Sequence, residues 1–286
     1  MTLPVLREIR ESYSDAEVLL LGILPQARLA MPEFVDRVER LDGPDLLPIF
    51  IDGVLPEIVQ TRLAGFDLAL NFVPDLDGVI ARNLAAAGVK QVISWSPGRR
   101  PDIHAVFALA DLLGPLGLAL RDPVPRLAIG ARPVHSATLG FHVGSGSPQK
   151  NWPIDYWLAF LRRVDGLFDD FLLVGGEADD KVVHEFLGRW NIPRLRILLN
   201  ASLPNLCQAL NDCAFFIGHD TGVTHLAAAI GTPTVALFGP TNPDLWAPLG
   251  EHVTIVRSPD TLMASISVDA AEETCRRLRK RRGVGA

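Results

Sequence analysis

Apolar positions along this chain alternate between two rhythms, short unbroken runs and stretches spaced by three and four. Unbroken runs bounded by glycine, proline or charge are the pattern of strands buried on both faces, whereas i, i+3, i+4, i+7 spacing marks one face of a helix. In the first half, Ala16–Gly22, Phe66–Val73 and Val89–Ser96 predict strands, while Pro32–Leu41, Pro56–Leu63, Asp77–Ala87 and Ile103–Leu113 predict helices. The second half is more regular. Strands are expected at Leu139–Val143, Phe171–Val174, Arg196–Leu199, Ala214–Ile217, Thr234–Phe238 and Val253–Val256. Helices fit Ile154–Leu167, Asp180–Trp190, Pro204–Asn211, Val223–Ile230 and Val268–Arg281. This alternation predicts α/β architecture with mostly parallel strands. Pro123, Pro125 and Pro133 flank a short apolar stretch and mark a linker, so domains are expected over 1–133 and 134–286. Two doubly wound domains facing each other across a cleft, with ligands at strand C-termini, is the natural arrangement.

The opening breaks this rhythm. Val5, Leu6 and Ile9, interleaved with Arg7, Glu8 and Arg10, read as a helix with Pro4 in its first turn. A doubly wound domain opens with a strand, so this helix is half of a βα unit, and the first strand of the N-terminal domain is expected to be missing.

With 286 residues, 48% hydrophobic and 21% charged, the chain suffices for one large core or two ordinary ones. A net charge of −6 gives no reason to expect nucleic acid as a partner. Cys207, Cys213 and Cys275 form neither a CxxC pair nor an even set, which fits reduced thiols in a cytoplasmic protein. No apolar run reaches the roughly 18 residues a membrane span needs, and Arg7, Glu8 and Arg10 interrupt any signal-peptide pattern. The histidines are scattered and no DxD-type pair precedes a strand end, so neither a metal site nor a cofactor is expected.

The segment FFIGHDTGVTHLAAAIGTPTVALFGPTNP, residues 215–243, carries the most chemistry. Phe215–Ile217 reads as a strand ending at Gly218, Asp220 stands at a helix N-cap position, and Val223, Leu226, Ala227 and Ile230 keep helical spacing until Gly231. A helix N-terminus offers free N–H groups and partial positive charge, which suit a phosphate. Thr221, Gly222, Thr224 and His225 lie in or beside that first turn; Gly222 admits a ligand to the backbone. Taken alone, the segment also fits an aspartate that only caps a helix and a histidine that is merely satisfied.

FHVGSGSPQKNWP, residues 141–153, is a second candidate loop between a strand and a helix begun by Pro153. It fails as a dinucleotide fingerprint, because Gln149 stands at the third glycine position, and it fails as a P-loop. Its small residues can still wrap an anion with backbone N–H groups while Lys150 supplies a point charge. A surface turn with a solvated lysine is the alternative.

Both segments resemble glycosyltransferase family 9, which includes the ADP-heptose:lipopolysaccharide heptosyltransferases. The likeness runs from Thr2 to about Ser265 and is strongest over 141–153 and 215–248. It implies a GT-B fold and an inverting, metal-independent glycosyltransferase that moves a sugar from a nucleotide-diphosphate donor, ADP-heptose above all, to a saccharide acceptor such as lipopolysaccharide core. Carried over, Ser145, Gly146, Ser147 and Lys150 would hold the diphosphate, and Asp220, Thr221, Gly222 and His225 the donor sugar and phosphates. After the Gly175-Gly176 pair the family often carries an acid, which favours Asp179 over Glu177 as a ribose contact; acids here also suit a helix dipole. Arg99 and Arg100 are candidate contacts for an anionic, lipid-linked acceptor, while His104 matches a family histidine and reads as structural.

Three departures from the family stand out. His219 replaces a small polar residue, the region after Val256 is short and lacks the family's cysteines, and the first strand and its loop are absent. The family's presumed catalytic aspartate lies in that loop, so the general base is expected upstream of Met1, and this chain is expected to bind nucleotide while transferring sugar poorly. Two rivals use the same pocket, a GT-B sugar-nucleotide epimerase and a non-catalytic nucleotide-sugar binder. The basic run at 276–282 reads as a solvated helix end or, more sharply, as peripheral contact with an anionic membrane on its inner face.

Overall fold

A computed structural model describes residues 1–281 apart from 97, 99, 132 and 134–136. Its chain divides into two compact units, Met1–Pro123 and Val124–Ala286. The division falls at the start of the expected linker rather than at its end. The reason is that the linker is tied to the second unit: Leu127 N–H donates to the Ala229 carbonyl (2.9 Å) and Asn211 Nδ2 to the Ala131 carbonyl (3.3 Å).

In the first unit, α1 (Leu3–Ser12) carries Pro4 in its first turn and packs Val5 and Ile9 against Leu109 and Leu113. There follow β1 (Leu19–Gly22), α2 (Leu24–Ala27), β2 (Arg37–Arg40), α3 (Glu57–Leu63), β3 (Leu68–Asn71), α4 (Val79–Ala86), β4 (Gln91–Ser94) and α5 (Ala105–Ala110). The strands form two separate parallel pairs, β1 with β2 and β3 with β4. Among the described residues no strand precedes α1.

One helix expectation fails. Pro32–Leu41 is not a helix: Phe34 and Val35 are buried in a turn, and Arg37–Arg40 run as β2 in register with Leu19–Gly22. The i, i+3, i+4 spacing there is real, but pairing with β1 overrides it, and the Val18 carbonyl accepts from both Asp36 and Arg37 N–H as the strand begins. His104, as expected, is structural; its Nδ1 accepts from Val106 N–H at the start of α5.

The second unit contains β5 (Thr138–Phe141), α6 (Ile154–Val164), β6 (Asp170–Gly175), α7 (Asp180–Arg189), β7 (Leu195–Leu199), α8 (Leu203–Asn211), β8 (Phe215–His219), α9 (Gly222–Ala229), β9 (Thr234–Phe238), α10 (Pro243–Trp246), β10 (Val253–Arg257) and α11 (Val268–Arg281). Its parallel sheet runs β10-β9-β8-β5-β6-β7. The chain winds from β5 out to β7, then returns to the other side of β5 with β8, so the direction of winding reverses between β5 and β8. Crevices at such a reversal, beyond the strand C-termini, are where open α/β sheets bind ligands. Every residue of β5, β8 and β9 is buried. Beneath them lies an aromatic core of Phe141, Trp152, Trp157, Phe160, Phe171 and Phe186.

Candidate functional site

Both candidate loops leave the sheet at this reversal, one after β5 and the other after β8. Lys150 Nζ donates to Asp220 Oδ2 at 2.9 Å and so joins them. His225 Nε2 stands 3.6 Å from the other oxygen of Asp220. Burial alone would raise the Asp220 carboxyl, but the neighbouring His225 and the hydrogen bond from Lys150 outweigh it and hold the pKa at about 2. Asp220 is therefore an anion tied to two bases, not the helix cap expected of it. Thr221 takes the N-cap position of α9, and its side chain makes no capping bond.

Gly146 and Gly222 are both exposed, with open space where a Cβ would stand. At each, the backbone can meet a ligand without side-chain hindrance. Half-buried Ser147 sits beside Gly146. Ser145 instead turns inward, its Oγ within 2.6 Å of the Ser147 carbonyl and 2.7 Å of Asn151 Oδ1, while Ser147 N–H donates back to it at 3.2 Å. Ser145 thus shapes the loop.

Asp179 is placed beneath the loop rather than at its rim. It is 6% exposed and accepts from His142 Nε2 and from Gly176 N–H, both at 2.8 Å. Burial pushes its carboxyl up, but these two donors prevail and keep it below the ordinary aspartate value. A Cβ at residue 144 would come within 1.9 Å of Asp179 Oδ1, so only glycine fits there. On its other side, His142 Nδ1 lies 3.5 Å from Thr221 Oγ1, and Thr221 Oγ1 lies 3.3 Å from Thr224 Oγ1.

Two buried histidines, His142 and His219, are the residues that sequence reasoning missed as parts of the site. The signal was available for both: each ends an apolar strand, where a polar side chain needs a partner. His219 is wholly buried, with Nδ1 2.9 Å from the Gly144 carbonyl and Nε2 2.9 Å from Trp152 N. Burial presses its pKa down to about 4 against the opposing pull of the Gly144 carbonyl, so the ring is neutral.

Of the acceptor candidates, Arg99 lies outside the described residues, and Arg100 pairs with Asp111 at 3.0 Å. In the basic C-terminal run, Arg276 is taken up by Glu272 and the Arg163 carbonyl, and Arg279 lies over the Phe168 ring. Among the described residues no group of three His, Cys, Asp or Glu could hold a metal ion, and no helix is long and apolar enough to cross a membrane.

The second unit is doubly wound, with a polar cluster where its winding reverses, the arrangement in which open α/β sheets bind nucleotides. The fold matches that of the glycosyl transferase family 9 protein from Veillonella parvula, with a TM-score of 0.81 over 98% of this chain and 93% of that one at 16% identity. It also matches E. coli heptosyltransferase WaaC solved with ADP, with a TM-score of 0.71 over 97% and 95% at 16% identity. The sequence profile of glycosyltransferase family 9 (heptosyltransferase) covers residues 112–274, more than half of the chain, and the chain belongs to that family. Lipooligosaccharide heptosyltransferase 2 of Campylobacter jejuni is 26% identical over 263 residues, 84% of this chain and 77% of that protein. The Haemophilus influenzae protein of the same name is 33% identical over 135 residues, 45% of this chain and 38% of its own length.

Proposed function

We propose that this chain is a heptosyltransferase that binds ADP-heptose at the ends of β5 and β8 and transfers the heptose, with inversion, to a saccharide of lipopolysaccharide core. The reading rests on one observation: Lys150, Gly146 and the open N-terminus of α9 at Gly222 converge where the winding reverses, joined by the Lys150–Asp220 contact. Such a set of fixed N–H dipoles and one ammonium suits a diphosphate. It is worth most as negative charge grows on the leaving group, because the groups are already in place when the glycosidic bond breaks. His225 and Asp220 would face the donor sugar and its phosphates. The E. coli relative solved with ADP, and with ADP-2-deoxy-2-fluoro heptose, lends support to the choice of nucleotide. A lipid-linked acceptor would bring the protein to the inner face of the membrane, with Arg277 and Lys280 among the exposed bases of α11.

Lys150→Ala tests the reading. Calorimetry should show ADP binding weakened by about 1.5–3 kcal/mol, the range for a hydrogen bond to a charged group. Stability should fall modestly as well, because the variant leaves the half-buried Asp220 with one base fewer. Unchanged ADP affinity would reject the diphosphate site. Transfer from ADP-heptose to a core acceptor lacking that heptose tests the reaction itself, and cleavage without acceptor would point elsewhere.

A further inference from the structure

His219 binds both loops of the site and is wholly buried. Trp152 N–H can only donate, so Nε2 of His219 is an acceptor. The ring proton then sits on Nδ1 and is donated to the Gly144 carbonyl. One neutral imidazole thus ties the two ends of the loop that carries Gly146 and Lys150. The Trp157 ring packs edge-on against it at 5.5 Å and fixes its plane. Through its own carbonyl, His219 also accepts from Thr224 Oγ1 at 2.6 Å, which anchors the first turn of α9. The next residue, Asp220, holds Lys150. No other described residue is bonded to both ends of the β5 loop and to the first turn of α9.

We infer that His219 is a positioning residue for the anion site: it sets the span of the 144–152 loop so that Lys150 and the backbone at Gly146 face the same anion as the N-terminus of α9. The inference rests on the diphosphate reading above. It assigns His219 no contact with nucleotide, and its effect passes through Lys150 and the loop.

The test uses the full chain with ADP as probe, in wild type, His219→Ala, His219→Gln, Lys150→Ala and the double variant His219→Ala/Lys150→Ala. Affinities are measured by calorimetry at a temperature where circular dichroism shows each variant folded. His219→Ala should weaken ADP binding about tenfold or more. Its effect should shrink in the Lys150→Ala background, because residues that act as one unit are not additive. Glutamine, which offers one acceptor and one donor on a flat amide, should restore part of the loss. Unchanged affinity in His219→Ala, or losses that multiply in the double variant, would overturn the inference. Exchange of the Trp152 amide gives a reading independent of nucleotide: it should be protected in wild type and His219→Gln and unprotected in His219→Ala. Equal protection in all three also overturns the clamp, even if a variant folds poorly. A wild type that fails to bind ADP while keeping the Trp152 protection would instead strike at the diphosphate reading.

Discussion

The two units start from the same strand-and-helix alternation and end with very different sheets. In the second, six strands form one sheet, and the unit's own first strand, β5, is central, paired with β6 on one side and β8 on the other. In the first, β1–β2 and β3–β4 are separate pairs, yet Leu21 of β1 and Ala69 of β3 pack against the same cluster around Val59, Leu63 and Leu84. A parallel sheet draws its stability from burial on both faces. The second unit achieves it, with every residue of β5, β8 and β9 buried, whereas Leu19, Leu20 and Leu21 stay half-exposed. The largest fully buried side chains of the second unit are tryptophans and phenylalanines, and those of the first are Leu46, Leu112 and Leu113. A rigid site needs rigid strand ends. The candidate groups, accordingly, sit on the well-buried sheet.

The comparison can be broken at several points. The largest effect should come from Phe141→Ala, which empties the aromatic core and should cost about 3–5 kcal/mol, while Leu70→Ala on half-buried β3 should cost about 1–2 kcal/mol. Equal costs by chemical denaturation would mean that the units are equally well packed. Amide exchange in the full chain should be slower in β8 and β9 than in β1 and β3, on the order of 100-fold or more. Matching rates would show that the separate pairs unfold only together with the six-stranded sheet. Gly144→Ala should destabilise by about 1–3 kcal/mol, because its Cβ collides with Asp179 and must displace the His142 contact. A neutral result would show the loop to be softer than its geometry.

The last test concerns pH. The His219 ring titrates at about 4 when folded, below its ordinary 6.5. Between those values the unfolded chain binds the proton first, so the stability contributed by the neutral ring is complete above pH 6.5. It is lost progressively as pH falls toward 4. Subtracting the stability profile of His219→Gln from that of wild type should isolate this slope. A flat difference across the window would mean that the ring is protonated with ease, contrary to its burial.

Much of the architecture was legible from periodicity alone. Thr234–Phe238 and Val268–Arg281 fall where the pattern puts them, since each is a local match between apolar spacing and backbone repeat. The family was legible from the two loops, because small residues, a lysine and a D-T-G turn are short-range signals. Residues 37–40 were not, since a weak helical spacing yields to a strand partner that only the fold supplies.

The roles of the acids were the other thing hidden. Position along the chain put Asp220 at a helix start, and the family resemblance favoured Asp179 as a ribose contact; neither signal names the base that each carboxylate meets. The fold pairs Asp220 with Lys150, 70 residues away, and Asp179 with His142, 37 residues away, across strands whose order no local pattern encodes. The sequence by itself determined most of the elements, the loops that carry the chemistry and the family, because these follow from spacing and residue type. Only the tertiary structure decided which carboxylate meets which base, and that a buried histidine ties one loop to the other. Those pairings exist only once β5 and β8 lie side by side.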